Sequence, residues 1–144
     1  NEVSDHNKKL FKTAKQVGVT KFGLFNDAGY RGLYEASLLD IEQKKGIKKG
    51  ELLNRAGSTE LAANLFRITQ TDEKLKKDKI QGDYQASQTH FVVGSRVRQT
   101  IKDIGGVLPE DLSIEKHIKE LEKELKGFRK LSTQNKKPKK QILG

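Results

Sequence analysis

The chain has 144 residues, of which 33% are apolar and 33% charged, and it carries a formal net charge of +10. That length suits one ordinary domain with extensions, and the low apolar share leaves only a thin core, with some of the chain left over as tail or partner-facing helix. The lack of cysteine excludes a disulfide framework and thiol chemistry, no run approaches the roughly 18 apolar residues of a membrane span, and the basic balance favours an anionic partner, either nucleic acid or an acidic protein face.

In chain order, Ser4 is placed to cap a first helix that carries Leu10, Phe11, Ala14 and Val17 on one side, with Gly18 as its stop. The segment "KFGLFNDAGYRGLY" holds four of the nine aromatic residues and three glycines, Gly23, Gly29 and Gly32. The glycines predict short helical turns with breaks, and Phe22, Phe25, Tyr30 and Tyr34 read as local core. Leu38, Leu39 and Ile41 open a further short amphipathic piece that stops at Gly46, and a brief helix surrounds Leu52 and Leu53.

The stretch "GSTELAANLFRITQTDEKLKKDK" predicts a long two-sided helix. Ser58 or Thr59 is its expected cap, and Glu60 suits the positive helix N-terminus. Leu61, Leu65, Phe66 and Ile68 are the expected core residues, with Leu75, Ala62 and Ile80 extending the stripe and Asp72 interrupting it. Arg67, Gln70, Lys74 and Lys77 follow at i, i+3, i+7 and i+10 and form an expected basic outer strip. Gln81 to Ser87 reads as a polar loop. Val92, Val93, Val97, Ile101 and Ile104 then mark another helical face with Arg96, Arg98 and Lys102 outside it, although the valines of "HFVVG" also suit a short strand. Gly105, Gly106 and Pro109 end the element. Ser113 is the expected cap of a last helix on which Ile114, Ile118, Leu121, Leu125 and Phe128 alternate like a coiled-coil seam, the basis for an expected homodimer. The segment after Ser132 reads as a basic flexible tail.

The fold class is therefore mainly α, a compact multi-helix domain with a C-terminal amphipathic helix. The expected divisions are a helical core over 1–112, the amphipathic helix over 113–131 and the tail over 132–144.

Little in the sequence supports catalysis. The histidines are dispersed, and His117 with Glu120 gives only half of a metal pattern among alternating Lys and Glu, which reads as a solvated face. No phosphate-cradling G-x-x-x-x-G-K-[ST] occurs. Gly29-Tyr30-Arg31-Gly32 is a literal G-x-x-G of the kind that clamps a nucleic-acid backbone in KH domains, but it lacks the framing strand and reads as a tight turn. No catalytic residue, metal site or cofactor is assigned.

Three segments, "GYRGLY", "GSTELAANLFRITQTDEKL" and "RVRQTIKDIGG…LPEDL", together with the opening "NEVSDHNKKLFKTAKQVGV", resemble the C-terminal half of the bacterial DNA-damage-inducible protein D (DinD) family, in order from Asn1 to about Leu125. The resemblance implies a bacterial, non-enzymatic SOS-response protein that acts on RecA filaments on single-stranded DNA and restrains strand exchange, and the lack of cysteine gives the cytoplasm as its expected compartment. Family members carry an antirepressor-like N-terminal domain. Its absence, with the absence of any Met, leads to the expectation of a fragment. The expected partner is the RecA filament, with single-stranded DNA second and no membrane. Asn64, Arg67, Gln70, Lys74 and Lys77, extended by Arg96, Arg98 and Lys102, are the expected partner-binding strip, and reversing Arg67 and Lys74 is expected to leave the fold intact. The alternatives are a DNA-binding module of the antirepressor type and a carboxylate-dependent nuclease.

Overall fold

Gly29 and Gly32 lie within a single helix, where they let another helix approach at backbone distance. The computed structural model describes residues 2–116 and 118–135, and by contacts the chain divides into a unit Asn1–Ile114 and a unit Glu115–Gly144. The first unit contains α1 (Glu2–Gln16), α2 (Phe22–Tyr34), α3 (Leu38–Lys45), α4 (Leu52–Arg55), α5 (Ser58–Lys77), α6 (Gly82–Asp103) and a 3-10 turn over Pro109–Asp111. The second contains α7 (Ile118–Asn135). No strand runs through the described residues, and the pairing of Ala56 with Ile114 is an isolated bridge. The expected mainly helical fold is what the chain adopts.

The most extensive packing is α2 on α6, followed by α1 on α5 and α5 on α6. A Cβ on Gly32 would stand 2.2 Å from the Phe91 carbonyl oxygen, and one on Gly94 would stand 2.7 Å from the Gly29 carbonyl oxygen. Only hydrogen fits at these positions, so the glycines of "GYRG" and "VVGS" are the contact points of a close helix crossing. This corrects the expected broken turns over Lys21–Tyr34 and the tight-turn account of Gly29–Gly32. The loss of helix propensity, about 1 kcal/mol per glycine, is offset by packing that no larger residue permits. The possible strand at "HFVVG" and the expected loop over Gln81–Ser87 are also corrected, because both fall inside the 22-residue α6. There Val93 and Val97 are buried, and tertiary packing outweighs the β preference of branched residues.

Helix ends follow local chemistry. The Ser37 hydroxyl accepts from the Asp40 N–H at 3.1 Å and caps α3, which ends at Gly46 in the left-handed conformation. Asp83 does for α2 what α2's own sequence does not. Its carboxylate accepts from the backbone N–H groups of Thr20 and Lys21, each at 2.9 Å, and from the Thr20 hydroxyl at 2.7 Å. These bonds tie the start of α6 to the start of α2 and hold the Asp83 carboxyl below its ordinary pKa. Several expected caps are corrected. Ser4 lies inside α1. Gly57, which has no side-chain bond to offer, occupies the N-cap of α5 in place of Ser58 or Thr59. The last helix begins at Ile118 and not at Ser113, because the chain is extended where Ile114 pairs with Ala56. It also continues to Asn135, so residues 132–135 are helix and not tail, while the rest of the expected tail, 136–144, lies outside the described residues.

Two apolar clusters form the core of the first unit. One gathers Val3, Leu10, Ala14, Val19, Phe25, Ile68, Leu75 and Ala86. The other gathers Tyr30, Leu33, Tyr34, Ile41, Leu52 and Val97. Of the expected core residues on α5, Ile68 is fully buried, Leu61 and Leu65 are half-buried against the first cluster, and Phe66 is corrected to the surface at 51% exposure. The aromatic residues Phe25, Tyr30 and Tyr34 are core, as expected.

Gly32→Ala and Gly94→Ala each force α2 and α6 apart, and the expected loss is about 1–3 kcal/mol of overpacking strain. Gly23→Ala, which meets nothing within 4 Å, is expected to be neutral or stabilising by up to about 1 kcal/mol. Urea denaturation of the three variants checks the contrast, and equal effects at all three would remove the close crossing as the explanation.

Candidate functional site

The polar face of α5 divides into an inward part and an outward part. The inward part is Glu60, Asn64, Arg67 and Thr71, all buried. Arg67 has no exposed surface at all. One Nη donates to His90 Nε2 at 2.7 Å, and the other donates to Asn64 Oδ1 at 2.9 Å. The guanidinium carbon lies 4.6 Å from the centre of the Tyr30 ring, a cation–π contact. Asn64 Nδ2 donates to the Tyr34 hydroxyl at 2.9 Å, and that hydroxyl donates in turn to Glu60. Glu60 accepts from Lys45 Nζ at 2.9 Å in a fully buried ion pair. Lys45 also donates to the carbonyls of Pro109 at 3.0 Å and Leu112 at 2.7 Å, which fastens the segment after α6 to α3.

The histidine has one permitted tautomer. An arginine only donates and a carbonyl only accepts. His90 Nε2 therefore carries the lone pair toward Arg67, and Nδ1 carries the proton that is donated to the Phe25 carbonyl at 2.8 Å. Burial and the neighbouring guanidinium hold the imidazole pKa well below its ordinary value. Burial also lowers the Arg67 guanidinium and raises the Tyr34 phenol, the latter with the Glu60 carboxylate adding to the effect. The network joins the two apolar clusters, since His90 packs on Phe25 at 4.5 Å between ring centres and Arg67 covers Tyr30. Glu60, Asn64, Arg67 and His90 are at most 1% exposed, so the network fixes the positions of the helices that carry them.

Arg67, Asn64 and Arg98 are thus corrected from exposed partner contacts to buried structural groups. Arg67 and Asn64 face inward because α5 is covered on more than one side, by α1 and by α2 and α6. Arg98 donates to both oxygens of Glu110 at 2.8 Å and to the Leu33 carbonyl at 3.1 Å, and Glu110 raises its pKa. Reversing the charge at Arg67 cannot leave the fold intact, since it sets a carboxylate in a fully buried site built around a cation.

Gln70, Lys74, Lys77, Arg96 and Lys102 are exposed. Gln70, Lys74 and Arg96 come together at one groove of about 410 Å³ between α5 and α6, whose described lining also includes Phe66, Val92, Val93, Val97 and Thr100. Beside it, a second depression is lined by Phe91, Val92, Ser95, Arg96 and Gln99. Phe66, Phe91 and Val92 are 51%, 41% and 36% exposed. Lys77 and Lys102 lie outside both linings. The groove is an apolar floor with a cationic rim, which suits protein recognition more than chemistry. Sequence reasoning missed Phe66 and Phe91 as exposed aromatic residues. The signal was available in Glu60, Asn64, Arg67 and Thr71, which recur at helical spacing and turn α5 so that Phe66 faces out.

A further cleft of about 440 Å³ lies between α1 and α5, lined by His6, Lys9, Lys12, Thr13, Gln16, Thr69, Gln70, Asp72, Glu73 and Lys76. Three lysines are set there against two carboxylates, and Lys76 is paired with Asp72 at 3.0 Å. Among the described residues no three of His, Asp or Glu gather as a metal site, and no helix is long and apolar enough to cross a membrane. His117, half of the metal pattern considered above, lies outside the described residues.

The seam expected on the last helix is only partly visible. Ile114 is corrected to the extended bridge in the first unit and is not on the helix. Leu125 and Phe128 are on α7 at 52% and 70% exposure, while the side chains of Ile118 and Leu121 lie outside the described residues.

His90 gives the fold a pH dependence of known sign. Its folded pKa is depressed below the ordinary value of about 6.5, so the unfolded chain binds more protons just below that pH. Its contribution is fully present above about pH 6.5 and is lost as pH falls toward the folded pKa, with a slope of at most about 1.4 kcal/mol per pH unit. Urea midpoints between pH 7 and 5 should fall for the parent and stay level for His90→Gln. Equal slopes would assign the effect elsewhere. Arg67→Glu is expected to lose about 3–5 kcal/mol, and a melting temperature unchanged by it would contradict the buried network.

Comparisons with known proteins agree with the resemblance seen in the sequence. No solved structure matches the chain. It is 51% identical over 134 residues to DNA damage-inducible protein D of Escherichia coli (strain K12), a match that covers 88% of this chain and 48% of that protein. The chain therefore spans about half the length of that relative. The family model of the DinD C-terminal domain matches residues 1–121, and the chain belongs to the DinD family through that domain.

Proposed function

We propose that this chain is the interaction module of a DNA-damage-response regulator that acts on RecA filaments on single-stranded DNA and restrains strand exchange without catalysing a reaction. Membership of the DinD family supports the link to DNA damage, and the resemblance set out above supplies RecA as the partner. The observation that supports a protein-binding surface on this half is the α5–α6 groove, where Phe66 and Val92 stay exposed between Lys74 and Arg96. Exposed apolar side chains within a charged rim are the usual anatomy of a protein interface, whereas scattered surface lysines suffice for solubility. Direct coating of DNA fits less well. The lysine-bearing cleft between α1 and α5 carries Asp72 and Glu73 in its lining, and phosphate contacts there meet like charge.

The double variant Lys74→Glu with Arg96→Glu tests this function. Both side chains are exposed, and surface ion pairs such as Lys74 with Asp78 are worth about 0–1 kcal/mol. The variant is therefore expected to melt like the parent. Its restraint of RecA strand exchange is expected to weaken at least about tenfold in half-inhibitory concentration, because reversed charges now face the partner. Undiminished inhibition by a normally folded variant would place the functional surface elsewhere. Tight binding of bare single-stranded DNA that weakens steeply with salt would favour the DNA-coating alternative.

A further inference from the structure

We infer that the α5–α6 groove takes an acidic amphipathic helix from its partner, laid with its apolar side on Phe66, Val92, Val93 and Val97 and its carboxylates toward Lys74 and Arg96. This rests on the α5–α6 face being the partner surface and adds the kind of element that binds there. Three features of the groove carry it.

The first is its shape. Phe66, Gln70 and Lys74 recur every four residues along α5, and the α6 wall repeats in the same way through Val92, Arg96 and Thr100, with Val93 and Val97 beside them. Each wall is therefore a row of about 12 Å. Two such helical rows frame the kind of channel in which an amphipathic helix binds, its anchors spaced at i, i+3, i+4 and i+7.

The second is its charge. Among its described lining residues are two cations, Lys74 and Arg96, and no acid, and the adjoining depression likewise has Arg96 and no acid. Lys74 is shared with Asp78 at 2.6 Å, but both are exposed and the pair is easily exchanged. Arg96 makes no ion pair among the described residues. A carboxylate arriving over the valines therefore meets a guanidinium that is free to pair with it in a bidentate geometry.

The third is the poor fit of other occupants. The chain's own amphipathic helix, α7, exposes Leu125, Phe128 and Leu131, yet it carries Lys119, Lys123, Lys126, Arg129 and Lys130 against Glu120, Glu122 and Glu124. It is net cationic, as is the groove rim, so a second copy's α7 is repelled where an acidic helix is attracted. A nucleic-acid strand would satisfy the rim but would leave the valines covered by sugar and phosphate. The apolar floor is then unexplained.

The test uses the full chain and four probes. One is a helical peptide of roughly 18 residues, five turns, with Leu and Phe on one face and Glu on the other. The second has Lys in place of Glu, the third keeps Glu but has Ser on the apolar face, and the fourth is an oligothymidylate. Binding is read by fluorescence anisotropy, and its place by NMR of the valine methyls. The acidic amphipathic peptide is expected to bind at least about tenfold more tightly than the lysine and serine versions and to shift the methyls of Val92, Val93 and Val97. In the Lys74→Glu, Arg96→Glu chain the preference between the acidic and lysine peptides is expected to reverse. Phe66→Ser is expected to weaken the acidic peptide without lowering the melting temperature.

Equal binding of the acidic and lysine peptides overturns the inference, as do methyl shifts confined to residues outside the groove. Shifts of the same methyls by oligothymidylate, with no peptide preference, assign the groove to nucleic acid and also overturn it. If the charge-reversed chain loses its effect on RecA while the parent ignores all three peptides, the proposed function stands and the helical ligand does not. If the parent selects the acidic peptide and the reversed chain still restrains RecA, the ligand class stands and the RecA-facing role of this groove fails.

Discussion

The first unit depends on a contact among three helices at His90. The imidazole sits over Gly29 of α2 so closely that a Cβ there would lie 2.2 Å from Nε2. It donates from Nδ1 to the Phe25 carbonyl of the same helix and receives Arg67 of α5 on Nε2. The missing side chain at Gly29 makes room for the ring, the ring gives Arg67 an acceptor, and Arg67 in turn covers Tyr30. A buried guanidinium without these partners is a large unfavourable charge, so the three helices have little freedom to shift against one another. The specificity comes at some risk to stability. Arg67 Nε has no hydrogen-bond partner among the described residues, and protonating His90 would both break its bond to Arg67 and set two cations side by side.

The same contact decides what the surface offers. Once Arg67, Asn64 and Glu60 are directed inward, helical geometry directs Phe66, Gln70 and Lys74 outward, since residues one position apart point roughly 100° apart on a helix. The exposed Phe66 is thus a consequence of the buried Arg67. On α6, burying Val93, Gly94, Val97 and Arg98 against α2 leaves Phe91, Val92 and Arg96 facing out. The groove between α5 and α6 is built from the residues left outside when the polar core is satisfied. The backbone beneath these exposed side chains is held by the buried network, so a ligand that bound there would not have to order it first.

Periodicity located the helices well where apolar residues dominate one face, and α1, α3 and α5 follow from Leu, Ile and Ala spacing alone. It failed where a residue's job depends on a neighbour distant in sequence. Glycine in a single sequence signals a turn, and nothing local to Gly29, Gly32 or Gly94 states that α6 or α2 lies against it. Hydrophobicity ranks arginine as surface and phenylalanine as core, which puts Arg67 on the outward strip and Phe66 in the core, whereas in the fold the two exchange places. The buried acceptor for Arg67 is His90, 23 positions away, and a pattern within one helix does not reveal it.

The sequence by itself determined that the chain is helical, basic, without cysteine chemistry and of the DinD family, because these follow from composition, local spacing and long matching segments. It also located the outer cations Gln70 flanks, Lys74 and Arg96, on their proper helices. Only the tertiary structure decided which polar residues are core and which stay exposed. That choice depends on the rotation of α5 about its axis, which is set by a bond to His90 and by the glycine crossing of α2 with α6, both of them contacts between residues far apart in the chain.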